Sequence, residues 1–208
     1  MACNYKKYIG SLLSLTAFFA FVLLPDVIYG WMSESFQADT SLKNIFIALI
    51  IALFLNFTAS RRVSVGLLTL FFIMQASQLL HLHCYGSYYG ASEIGVMLQG
   101  YMVAPEQSLT NPVFWGVPIA ASLVLYLVAL AVHLFFFTES PKAPFLSLLF
   151  VVALLVPFLQ ALSEDTSGKF LPNSNHLSLK NSLYSASDYA AAKVKIFINE
   201  IEQDTAEQ

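Results

Sequence analysis

Five apolar runs, separated by short polar breaks, fill the first three-quarters of the chain, and a polar stretch follows. The first runs from about residue 8 to 24, the second from Leu42 to Ala59, the third from Val63 to His83, the fourth from Pro112 to Phe137 and the fifth from Pro144 to Leu162. An α-helix rises about 1.5 Å per residue, so about 18–20 apolar residues match the roughly 30 Å of bilayer hydrocarbon. The runs are continuous rather than alternating, which selects helices over the strands of a membrane barrel. The pattern predicts an all-α, polytopic membrane protein with five transmembrane helices in residues 1–162.

Two segments do not fit that rule. The break at 84–111 holds Gly86, Gly90, Gly95 and Gly100 but also Ile94, Val96, Met97, Leu98, Tyr101 and Met102. It is too apolar for a free loop and too short and polar for a span, which predicts an interfacial helix lying on the membrane. Residues 163–208 read as a linker. Phe170-Leu171-Pro172-Asn173-Ser174-Asn175-His176 is rich in breakers and predicts an extended segment, and Ser187-Asp188 opens a helix over 189–203 with an apolar stripe at Val194, Phe197, Ile198 and Ile201. A loop starting at Pro25-Asp26 is expected between the first two spans.

Composition agrees with a membrane protein: 57% of residues are hydrophobic and 11% charged, and mean hydropathy is +0.67. Charge placement predicts orientation. Lys6, Lys7, Arg61, Arg62 and Lys142 all fall on the side of the N-terminus, and the positive-inside rule makes that side cytoplasmic. Of 13 acidic residues only Glu139 shares it. Five crossings then carry the tail outside, to the periplasm in a bacterial inner membrane, on the same face as the 84–111 connection. The run after Lys6-Lys7 ends in Pro25-Asp26 without a small-x-small cleavage site, so an uncleaved span is expected rather than a signal peptide.

The chemistry visible in the chain is sparse. There is no basic footprint for nucleic acid. Cys3 and Cys84 form no CxxC or CxxCH motif. His81, His83 and Cys84 belong to types that bind zinc or copper, but two histidines two residues apart diverge on a helix, so a polar belt at the end of the third span is expected and no metal site is assigned. Asn56, Gln75, Gln78 and His133 read as interhelical hydrogen-bonding groups. A transporter is disfavoured because no acid lies within a predicted span and only Pro157 interrupts one. Thr205 follows Glu200, Glu202 and Asp204 in a solvated run without a nearby His, so no catalytic residue is assigned.

Three features together carry a resemblance: the five-span, N-inside layout, the string Tyr85-Gly86-Ser87-Tyr88-Tyr89-Gly90-Ala91-Ser92-Glu93-Ile94, and the tail from Phe170 through His176 to Leu183. The chain resembles the N-terminal membrane domain of bacterial inner-membrane phosphoethanolamine and phosphoglycerol transferases, the sulfatase-like branch of the alkaline phosphatase superfamily, some of which modify lipopolysaccharide. The resemblance implies a domain that anchors a periplasmic catalytic domain and positions its lipid donor, phosphatidylethanolamine or phosphatidylglycerol. It further implies that zinc and the threonine nucleophile belong to that catalytic domain, which is expected outside this chain, so no cofactor is assigned within it. Tyr88, Tyr89, Glu93, Gln99 and Glu106 become the head-group candidates. A carboxylate at head-group depth attracts an ammonium, and a tyrosine offers both an apolar body and a hydroxyl. Gly100 stands after Met97-Leu98-Gln99, ahead of the place where related lipid A transferases carry Asn, and Glu106 is out of register with their Glu. The alternative reading is a non-catalytic membrane subunit or scaffold that docks another protein through its outer helix and tail.

Overall fold

The computed structural model describes residues 2–33, 38–58, 60–98, 112–136, 159, 162 and 177–206. Regular structure among them is entirely helical: α1 (Ala2–Met32), α2 (Ala38–Phe57), α3 (Arg61–Tyr85), α4 (Ala91–Leu98), α5 (Pro112–Phe136) and α6 (Ser178–Ala206). Three stretches, Tyr8–Met32, Arg61–Tyr85 and Gly116–Phe136, are long and apolar enough to cross a bilayer, and the apolar part of α2, Asn44–Phe57, is shorter. The chain is thus a helical membrane protein. The fifth predicted span lies outside the described residues except for Leu159 and Leu162.

Helices α1, α2, α3 and α5 form the bundle, with α5 packed on α1 and α3, and α2 on the same two. The core joins Phe18, Phe21 and Val22 of α1 to Ala48, Ile51, Ala52 and Leu55 of α2, Leu68 and Phe71 of α3 and Ala129 of α5. Leu177 and Leu179 at the start of α6 complete it. Within lipid, apolar side chains gain little by leaving one apolar neighbour for another, so close fit and interhelical hydrogen bonds select the packing. Thr69 and Tyr126 share a hydrogen bond at 3.0 Å across α3 and α5, and Tyr126 stacks on Phe72 with centroids 4.9 Å apart.

One end of the bundle gathers the start of α1, the α2–α3 connection and the end of α5. Asn56 Nδ2 donates to Ser11 Oγ at 3.0 Å, and Arg61 Nη2 donates to the Leu134 carbonyl at 3.4 Å, where a helix C-terminus favours a cation. Gly10 allows α1 and α5 to meet, since a Cβ there would lie 3.0 Å from Phe136 Cβ. The opposite end gathers the end of α1, the end of α3, α4 and the start of α6.

Three sequence expectations are corrected at that second end. The first helix does not stop at residue 24; it continues through Pro25 to Met32. Proline has no N–H, so the Phe21 carbonyl four residues earlier loses its helical donor. Gln75 of α3 supplies the replacement, with Nε2 donating to the carbonyls of Phe21 at 3.3 Å and Val22 at 3.1 Å, and its Oε1 accepting from Ser122 Oγ at 2.7 Å. Asp26 accordingly lies inside a candidate span rather than in a loop. Pro25 and Pro118 both sit inside membrane helices, so Pro157 is not alone in interrupting an apolar run. The tail helix begins at Ser178, well before residue 187, because Asp26 satisfies its N-terminus.

Candidate functional site

The polar groups converge where α1, α3, α4 and α6 meet. Asp26 Oδ1 accepts from the Ser178 backbone N–H at 3.0 Å and from the Tyr88 hydroxyl at 3.3 Å, while Oδ2 accepts from Ser178 Oγ at 2.8 Å. The first N–H groups of a helix lack internal acceptors, and the helix dipole places partial positive charge there. A carboxylate from α1 therefore caps α6 from outside its own sequence. Burial, the Asp26 charge and the hydrogen bond to it hold the Tyr88 phenol well above its ordinary value of 10, so Tyr88 remains a donor.

The connection after α3 folds back along that helix. Gly86 ends α3 in the left-handed region (φ 72°), with its N–H on the Leu82 carbonyl at 2.9 Å, a conformation that glycine adopts without Cβ strain. His81 Nδ1 meets the Ser87 carbonyl at 2.7 Å. A carbonyl only accepts, so Nδ1 carries the proton. Gln78 then grips Tyr89 at two points: the Tyr89 N–H donates to Oε1 at 3.0 Å and Nε2 donates to the Tyr89 carbonyl at 3.3 Å. Ser185 Oγ of α6 donates to the same carbonyl at 2.8 Å. The Tyr89 hydroxyl sits between Ser77 Oγ (3.2 Å) and Ser182 Oγ (3.1 Å), and Ser182 also donates to the Met74 carbonyl at 3.1 Å. Ser178, Ser182 and Ser185 recur at helical spacing, so α6 lays a polar, small-residue seam against α3 and the fold-back.

The five sequence candidates divide. Tyr88 and Tyr89 are adjacent, buried and wholly engaged within the protein. Glu93 Oε2 accepts from the Gly90 N–H at 2.9 Å and from Ser92 Oγ at 2.8 Å, the reach-back of a capping box at the third position of α4. Partial burial pushes its carboxyl up, but those hydrogen bonds and nearby His81 pull it lower still, to a net position below 4.5. Gln99 and Glu106 lie outside the described residues. Sequence reasoning missed Asp26 and Ser178. The signal for Asp26 was present: apolar Val27, Ile28, Tyr29, Trp31 and Met32 continue beyond it. No local pattern pointed to Ser178, whose partner is 152 residues away.

Among the described residues, no group of three or more His, Cys, Asp or Glu is placed to hold an ion. The assembly brings together a carboxylate, a ladder of hydroxyls and two tyrosines. No protein-family model, curated protein or solved structure matches the chain.

Proposed function

We propose that the chain is the membrane domain of a bacterial inner-membrane phosphoethanolamine or phosphoglycerol transferase, with the α4–α6 end facing the periplasm and the Arg61 end the cytoplasm. Its work is to anchor the enzyme and to seat the donor phospholipid beneath a catalytic domain. The observation that carries this reading is the clamp on α6. Asp26 and the Gln78–Tyr89 fold-back fix the helix that follows the membrane region, so the segments beyond it have a defined place and height over the bundle. Zinc, in this reading, belongs with the catalytic domain and not with the helices described above. Tyr88, Tyr89 and Glu93 then act by shaping α4 and the mouth beside it, with the lipid head group lying along α4.

Native mass spectrometry from nanodiscs tests the lipid claim. Purified chain transferred from bilayers holding phosphatidylethanolamine, phosphatidylglycerol and phosphatidylcholine in equal amounts should retain one of the first two in several-fold excess over phosphatidylcholine. Equal retention of all three defeats the proposal.

A further inference from the structure

The end of α6 carries an apolar face that the bundle does not cover. Val194, Phe197, Ile198 and Ile201 recur at i, i+3, i+4 and i+7, one stripe of a helix, and all four are exposed, Phe197 at 62%. Lys193 and Lys195 flank the stripe on its two sides, and Asn199 projects from the opposite face.

The depth of α6 decides what meets this stripe. The candidate spans of α1 and α3 end at Met32 and Tyr85. Asp26, which holds Ser178, is six residues before the end of α1, about 9 Å below it along the axis. Gln78 is seven residues before the end of α3, about 10 Å below it. Because Gln78 grips Tyr89, the chain beyond Tyr85 returns toward the membrane before α4 begins. Tyr189 packs against that same α4, with a ring carbon 3.5 Å from where a Gly95 Cβ would stand. Thus α6 is tied at Ser178, Ser182 and Ser185, and again at Tyr189, to groups at or below the ends of the spans. No proline or glycine interrupts Ser178–Ala206, so the remaining turns continue the same axis. These ties hold the first three turns of α6 close to the level where the spans end, and the next three run on from there without a break.

We infer that the 190–201 part of α6 is an interfacial helix whose Val194–Phe197–Ile198–Ile201 face is covered by phospholipid. Lys193, whose Nζ stands 5.7 Å from the Tyr189 ring centroid, and Lys195 flank the apolar face, as cations do on helices that lie at a lipid boundary. The inference requires a bilayer-spanning bundle but not the transferase reading.

Spin labels placed on the full chain in bilayers of phosphatidylethanolamine and phosphatidylglycerol test it. In a Cys3→Ser, Cys84→Ser background, Phe197→Cys, Ile201→Cys and Asn199→Cys are labelled in turn, and collisions with oxygen and with a water-soluble nickel chelate are compared. Labels at 197 and 201 should favour oxygen several-fold over nickel, and the preference should reverse at 199. Nickel access at all three positions overturns the inference, since the helix then stands in water. Shielding of 197 and 201 from both reagents also overturns it, because another polypeptide then covers the stripe. The lipid-retention experiment reads a different quantity, so either result stands without the other.

Discussion

Asp26 and Ser178 are 152 residues apart in sequence, yet one carboxylate accepts both the backbone N–H and the hydroxyl of that serine, at 3.0 and 2.8 Å. The pair makes the first helix and the last one a single unit, and it converts a costly buried acid into the cap of another element. An ionisable group in a membrane helix is a functional hypothesis by default. Here its donors account for it, which removes the main reason to revive a transporter reading.

Replacing Asp26 by Ala should therefore release the start of α6 rather than unfold the bundle. Stranding the Ser178 donors and Tyr88 costs about 1–3 kcal/mol. Hydrogen exchange should show the amides of residues 178–183 losing protection about ten- to hundred-fold, since about 1.4 kcal/mol corresponds to a factor of ten. Unchanged exchange there excludes the cap.

Gln75 exists, on this account, to serve the carbonyl that Pro25 orphans. Gln75→Leu should cost about 1–3 kcal/mol, read as a lower thermal midpoint in detergent. In a Pro25→Ala background the backbone N–H returns to Phe21 and the same substitution should cost measurably less. Additive effects in that double-mutant cycle would sever the two residues.

Gly10 sets the approach of α1 to α5. Gly10→Val places methyls against Phe136, and overpacking of this kind costs about 1–3 kcal/mol. Phe136→Ala in the same chain should recover part of the lost midpoint. A Gly10→Val protein as stable as the parent argues against the close crossing.

The start of α4 should loosen in acid. The Glu93 carboxyl is held below its ordinary 4.5, so its capping contribution is complete above that value and is lost as pH falls through the lower folded value. Exchange of the amides in 90–94, corrected for intrinsic rates, should accelerate only below about pH 4.5. Glu93→Gln should flatten that response; an identical acid response in the variant would assign it to another group.

The apolar runs made most of the bundle legible: α2, α3 and α5 begin and end within a few residues of the pattern, although only α3 and α5 of these are long and apolar enough to cross a bilayer. The roles of Asn56 and Gln75 as interhelical donors were legible too, since an amide in an apolar run has few other uses. What the pattern hid is tertiary. Pro25 looks like a terminator until Gln75 is placed beside Phe21, and Asp26 looks like a loop acid until Ser178 arrives. The apolar character of α4 is plain in the sequence, whereas the two-point grip of Gln78 on Tyr89 depends on a fold-back that no periodicity encodes.

The spacing of these partners also sets a timetable for biogenesis. Asp26 leaves the ribosome in the first helix, but its donors are translated 62 and 152 residues later. At about 5–20 residues per second, Ser178 follows by roughly 8–30 s. Through that interval the cap of the first helix on the last cannot form, so the clamp on α6 is completed only after the segments it joins have all been made.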